Sequence, residues 1–511
     1  MSDDHRQPPS RGRRNFLLSA GSAGIAVATA DSAFAQVPAD CRTLPVKWDS
    51  TVDVLVIGSG FAGCAAAAAA AEAGSTVAVL EKMPNAGGNS AINLGDFAAW
   101  DSSLHLRQKF NLGEDSAAQH ARDVLAAGDG YNDPALVAAL ADGAPQALDW
   151  MIERGGLKLR EVIHRQGLSA YRMHYGQTGR GIDYVDALRR IATLRGAEFH
   201  FEHAVTRLWR ANNEGAVAGV ETRNPQGLRQ WRARRAVIIA AGGFSADVAM
   251  RMAFRPILTS TYNTTNHRGA TGELIRLAQA IGADALQLSF IEVHPYGDPA
   301  IGAIDTATSY ALQIRRNGAM LVAKNGKRFV NEFAPHDFVS RQEVATGDKP
   351  TFTIFNQAML EQQDAERNRV ELPKLIEQGR ILRADTLREL AASAGIADAL
   401  EETAQRYAQM LRERKDPDFN RPFAADVAMF ASGPWYAIRN WPSVHHTMGG
   451  LRIDSTARVI DIWGRAIPRL YAAGEVAGGI HGAARVGGNS SADPVVFGRI
   501  AGSRAAAEPS I

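Results

Sequence analysis

Residues 51–90, TVDVLVIGSGFAGCAAAAAAAEAGSTVAVLEKMPNAGGNS, decide how the rest of the chain is read. Positions 52–57 are a short apolar, β-branched run, the pattern of a buried strand. It leads directly into Gly58-Ser59-Gly60-Phe61-Ala62-Gly63, a G-x-G-x-x-G turn. In such a turn the first glycine permits the tight bend and the second lets backbone approach a pyrophosphate. The third lets a helix pack close to a strand. Alanine fills every position from 65 to 71, so the helix that follows can lie almost flat on a sheet. Its first N–H groups and its dipole favour a phosphate. A second apolar strand at 76–80 ends at Glu81, about 20 residues past the glycines, where an acceptor for a ribose hydroxyl is expected. Gly58, Gly60, Phe61, Ala62, Gly63 and Glu81 are therefore the first candidate dinucleotide contacts.

A chain of 511 residues is too long for one small core, so two domains are expected. With 46% apolar and 22% charged residues it has ordinary globular composition. A net charge of +2 does not point to nucleic acid. The two cysteines, Cys41 and Cys64, form no C-x-x-C-H and no array that could hold an iron–sulfur cluster. Cys64, on the alanine-rich helix, reads as a small buried hydrophobe. No metal site is expected, and electrons must be exchanged with a separate carrier. Residues 1–35 read as a twin-arginine signal peptide: Arg13-Arg14-Asn15-Phe16-Leu17, a mildly apolar stretch at 17–30, then Ala33-Phe34-Ala35 before the cut. The stretch is too short and too rich in alanine and glycine for a stable membrane span. A periplasmic enzyme exported folded around its cofactor is expected.

Further motifs follow in order. Glu81-Lys82 followed by Gly87-Gly88-Asn89-Ser90 resembles the FAD-binding signature of the fumarate reductase/succinate dehydrogenase flavoprotein family. The segments Thr265–Glu273 (TNHRGATGE), Glu292-Val293-His294-Pro295, Asn317–Val322 with Gly326–Glu332, and Val444–Gly450 (VHHTMGG) resemble further family elements. So does the tail LYAAGEVAGGIHGAARVGGNSS at 470–491, continued by Phe497-Gly498-Arg499. The resemblance covers roughly residues 50–505, and is to the soluble periplasmic flavocytochrome c/urocanate reductase-like branch without a haem domain. It implies an α/β fold: a Rossmann-like FAD-binding domain with an inserted α+β capping domain. The expected partition is 49–288 and 446–507 for the FAD-binding domain and 289–445 for the cap. It also adds Lys82, Gly88, Asn89, Ser90, Val205, Ala241, Gly242, Glu273, His446, Gly474, Glu475, Arg485, Gly488, Ser490 and Ser491 to the expected cofactor contacts. Between these motifs, helices are expected at 116–127, 134–154 and 182–194, strands at 198–208, 217–223, 230–236 and 236–241, and charged helices over 356–420. His174 fits a structural or a functional role equally.

The family reduces, or less often forms, a C=C bond beside a carboxylate or carbonyl, so the resemblance implies that reaction on a small carboxylic acid. Such chemistry needs fixed positive charge facing the activating group and an acid or base near the α-carbon. The resemblance places His294, His445 and Arg485 at the carboxylate clamp and Arg315 at a relay arginine. Two departures matter. His336 stands where fumarate reductases carry the proton-donating arginine, and Leu312 stands at the relay glutamate. An imidazole near pKa 6.5 is a competent acid or base at neutral pH. His336 oriented by Asp337, or else Arg341 or Tyr310, is therefore expected to transfer the proton, to a substrate other than fumarate. A flavin electron-transfer subunit with a degenerate site, and a 3-ketosteroid dehydrogenase-like enzyme, remain open readings. The redox partner is expected to be a cytochrome or a quinone-linked protein.

Overall fold

In the computed structural model, which describes residues 44–510 apart from 165–168, 213, 363 and 364, the opening motif folds as its pattern demands. The expected signal segment, 1–35, lies outside the described residues, as does Cys41. Strand β1 (Ser50–Ile57) enters helix α1 (Phe61–Glu72), which returns the chain to β2 (Val77–Leu80). β1 and β2 pair in parallel, Val54 opposite Val77 and Ile57 opposite Leu80. Helix α1 is buried from Phe61 to Ala71, which its methyl-sized side chains allow. A Cβ on Gly63 would stand 1.9 Å from the Gly58 carbonyl oxygen, so only glycine permits this approach of helix to strand.

Strand β3 (Gly227–Ile239) lies on the other side of β1, also in parallel. The expected strands at 230–236 and 236–241 are thus mostly one element. No glycine or proline interrupts the run before Gly242, and one edge of it serves two partners in succession. Residues 227–232 pair with the meander strand Val217–Asn224, and residues 237–239 pair with a late strand of the chain.

Past residue 290 the chain builds a second sheet. Its members include β4 (Ile291–Gly297), helix α2 (His336–Ala345) follows, and β5 (Trp435–Thr447) forms its spine. β5 pairs antiparallel with β4, Thr351–Asn356 and Ile381–Ala384. Buried apolar side chains form one large cluster from residues before 294 and after 443, and a second from 296 to 438. β5 contributes to both, so one strand ties the two cores together. The charged region at 356–420 is largely helical, with Ala399–Glu413 its longest helix, but the strand Ile381–Ala384 interrupts it to join the second sheet.

The chain then returns through β6 (Ala466–Ala472), the partner of β3, and ends in α3 (Asn489–Ala507). α3 lies directly on α1. A Cβ at Gly498 would stand 2.4 Å from the Ala62 carbonyl oxygen, and one at Gly502 would stand 2.2 Å from that of Ala66. No helix among the described residues is long and apolar enough to cross a membrane.

The α1–α3 contact leads to a stability test. Gly502→Val would drive a branched side chain into the Ala66 carbonyl and is expected to cost roughly 3 kcal/mol or more. Urea denaturation would read this as a lower midpoint; an unchanged midpoint would mean the helices can separate freely.

Candidate active site

A cavity of about 600 Å³ runs from the glycine turn after β1 to the histidines of β4, β5 and α2. At the turn end it is lined by Gly58, Gly60, Phe61, Ala62, Glu81, Lys82, Gly88, Asn89, Ser90 and Val205. Ala241, Gly242, Glu273, His446, Gly474, Glu475, Arg485 and Ser490 also line it. The catalytic candidates His294, His336 and His445 close the far end with Arg485. Four expected site residues do not line it. Gly63 supports α1 from below. Gly488 turns the chain into α3 with φ +75°, where a Cβ would meet the Met173 sulfur at 2.5 Å. Ser491 is buried in the first turn of α3. Arg315 lies behind the wall, its Nη1 donating to the Glu332 carbonyl oxygen at 3.1 Å.

The turn end fits an adenine dinucleotide. Glu81 accepts from the Ser59 N–H at 3.0 Å, the Ser59 hydroxyl at 2.7 Å and the Met83 N–H at 2.9 Å. These donors set a buried carboxylate against the cavity, where a ribose hydroxyl can reach it. Ser90 accepts from the Phe61 N–H at 2.9 Å, and a Cβ at Gly60 would crowd the same Ser90 oxygen at 3.1 Å. Glycine at position 60 thus lets Ser90 close on the turn and hold the Phe61 N–H. Lys82 donates to Thr271 at 2.7 Å and pairs with Glu273, while Asn89 accepts from the His267 N–H at 2.7 Å. The loop containing Thr265–Glu273 is thereby tied to the end of β2. Near the centre, Glu475 accepts from the Thr447 N–H and hydroxyl at 3.0 and 3.1 Å. Burial pushes its carboxyl up despite those donors.

Backbone irregularity assembles the far end. His446 pairs with Glu292 and Val444 with Val293, so His445 is the extra residue of a bulge in β5. Neighbours on a regular strand point to opposite faces; the bulge lets His445 and His446 both reach the cavity. His294 lies 4.8 Å from His336 and 5.4 Å from His445, ring centre to ring centre. The Tyr296 N–H donates to His294 Nδ1 at 3.2 Å, which leaves the His294 proton on Nε2. Thr265 Oγ1 holds His445 Nδ1 at 2.8 Å. His336 is the first residue of α2.

Burial decides the charge of this cluster. It pulls His336 down to about 4, with Arg315 adding to the effect and Glu292 opposing it. It likewise pulls His445 down to about 4, and His294 well below its ordinary range. The imidazoles are neutral at neutral pH, which corrects the expectation of a histidine near 6.5. Asp337 is engaged by Arg255 at 2.6 and 2.8 Å and by Arg341 at 3.3 Å, so its carboxylate is committed to arginines rather than to His336. Of the three proton-transfer candidates only His336 lines the cavity. Arg341 is half exposed, and Tyr310 is buried in the second core. His174 is buried in the first half of the chain, against Ser102 and the Arg172 carbonyl oxygen, and does not line the cavity.

Two lining acids escaped the residue pattern, Glu292 and Asp96. Glu292 Oε2 lies 3.0 Å from Arg485 Nε. Burial would raise its carboxyl, but Arg485, then His445 and His336, outweigh that and hold it below its usual range. The signal was present in Glu292-Val293-His294: positions two apart on a strand share a face. Asp96 carried no such signal, and burial pushes its carboxyl up.

The buried imidazoles give the fold an acid-sensitive core. His336 and His445 titrate near 4 when folded against 6.5 for a free imidazole. The unfolded chain therefore binds more protons between those values, and stability falls as pH drops through that window. Each contributes on the order of 1.4 kcal/mol per pH unit inside it. Urea midpoints are expected to fall from about pH 7 to about pH 5, and to fall less in His336→Gln. Equal slopes would contradict a neutral, buried His336.

The profile of the FAD binding domain family matches residues 53–491. An NADH:fumarate oxidoreductase of Klebsiella pneumoniae is 34% identical over 89% of this chain, which spans only 47% of that relative's length. A urocanate reductase of Eggerthella lenta is 34% identical over 91% of this chain and 76% of its own. The open conformation of a flavocytochrome c3 fumarate reductase superposes with a TM-score of 0.80 at 31% identity, covering 90% of this chain and 79% of that one.

Proposed function

Because the chain belongs to the FAD binding domain family, we propose that its cavity reduces the C=C bond of an enoate other than fumarate. It is an FAD-dependent oxidoreductase acting on C=C bonds. The observation that carries the proposal is the convergence of Arg485, His294, His336 and His445 on one end of a cavity whose other end fits the dinucleotide. FAD, when bound, supplies the hydride. The chain's own residues supply orientation, charge and the proton.

Arg485 grips the substrate carboxylate and stabilises the negative charge that develops on it as the bond is reduced. His294 Nε2 and the His445 imidazole add neutral donors to the same group. His336 holds the proton for the α-carbon. A neutral imidazole is a poor acid, but a carboxylate brought beside it favours the imidazolium and raises its pKa again. Proton delivery is then coupled to substrate binding. In the oxidative direction the neutral form is the base already required.

Fumarate is disfavoured by two residues. Leu312 lines the cavity where the fumarate-type relay would need a carboxylate, and an imidazole replaces the arginine donor. The relatives act on fumarate and on urocanate, whose side groups differ widely, so the site rather than the fold must set the choice. We assign residues 289–445 to the cap over this site, and 49–288 with 446–507 to the FAD-binding domain. The separate redox partner is a cytochrome or a quinone-linked protein, and residues 1–35 direct export by the twin-arginine route to the periplasm.

The test is a bleaching screen of the flavin-loaded protein with reduced viologen against monocarboxylic enoates and fumarate. Reoxidation by an enoate, with little by fumarate, is expected. His336→Gln is expected to lower enoate turnover by about 10²–10⁴-fold while the flavin absorbance is kept. Rapid fumarate reduction, or an unimpaired variant, would overturn the assignment.

A further inference from the structure

The substrate end of the cavity holds a carboxylate of the protein's own. Glu292 projects from β4 beside His294, two positions along the same strand face, and lies 3.0 Å from Arg485 Nε. A quarter of its side chain, 24%, stays open, and it lines the cavity together with Arg485 and the three imidazoles. The pair is an electrostatic one, with no hydrogen bond between Oε2 and Nε, so a substrate carboxylate can still approach the donors of the guanidinium. A guanidinium can serve two carboxylates, because its donors point along separate edges of one plane.

Resting on the enoate reading above, we propose that Glu292 makes this a site for a substrate with one carboxylate, whose other end is neutral or carries a hydrogen-bond donor. The charges decide it. Among the described residues that line this end, Arg485 is the sole permanent cation, and Glu292 balances it. His294, His336 and His445 are held neutral by burial. A monoanion gains the donors of Arg485 and of the imidazoles. A dianion would bring its second carboxylate close to Glu292 with no second permanent cation at this end to offset it, and like charges brought together in a water-poor site repel strongly. Arg315, the next cation, stands behind the wall with its Nη1 committed to the Glu332 carbonyl oxygen. Glu292 can also accept a hydrogen bond from an N–H or O–H at the far end of the guest, which a carboxylate cannot offer.

Equilibrium binding separates this inference from the reaction itself. Calorimetric titration of the flavin-loaded protein with propionate, 3-(imidazol-4-yl)propionate and succinate requires no turnover. The two monocarboxylates are expected to bind more tightly than succinate. Glu292→Gln is expected to shift the ratio of affinities towards succinate by about tenfold, and Glu292→Asp, which keeps the charge, to preserve the ratio. Flavin absorbance reports whether each variant is folded and loaded. Preference for succinate in the unmodified protein, an unchanged ratio in Glu292→Gln, or no binding of any of the three would overturn the proposal. If the binding order holds but no enoate is reduced, the enoate reading fails by itself. If enoates are reduced but the order is absent, only the role of Glu292 fails.

Discussion

The close approach of three backbone segments is the constraint on which the rest depends. α1 touches the turn after β1 through Gly63, and α3 touches α1 through Gly498 and Gly502, at distances no side chain would tolerate. Because those contacts are backbone to backbone, they leave little freedom in where α3 lies. The loop between β6 and α3, which carries Gly474, Glu475 and Arg485, is thereby brought to a cavity begun some four hundred residues earlier. The glycine turn and Arg485 thereby line one cavity.

A second consequence concerns charge. Burial removes water from the far end of the cavity, and an imidazole cannot keep a proton there without a partner. The cluster therefore consists of neutral donors and acceptors, one fixed cation and one fixed anion. In this setting Glu292 forms an ion pair with Arg485 at 3.0 Å and balances its charge.

Much of the fold could be read from residue order. The alternation of β-branched runs with a glycine turn and an alanine helix predicts β1, α1 and β2, and the structure forms all three. The spacing of Glu81 beyond the glycines also reflects a local fact, since β2 begins and ends within one crossover. The merging of 230–239 into one strand was not legible, because the sequence does not state that one edge can serve two partners in turn. Likewise the role of Asp337 could not be seen beside His336: its partner Arg255 comes from a segment some eighty residues away.

What the sequence alone determined is the set of chemistries available: a glycine turn of the kind that accepts a pyrophosphate, and three imidazoles with an arginine in recurring surroundings. Backbone conformation and short-range spacing carry that information, because turns and strand faces repeat over a few residues. Only the tertiary structure decided which of those groups share a cavity, which are charged, and that Glu292 belongs among them. Charge in a protein depends on water exclusion and on neighbours from distant segments, here β4, β5, α2 and the loop before α3. A bulge at a single residue of β5 turned two adjacent histidines to the same side.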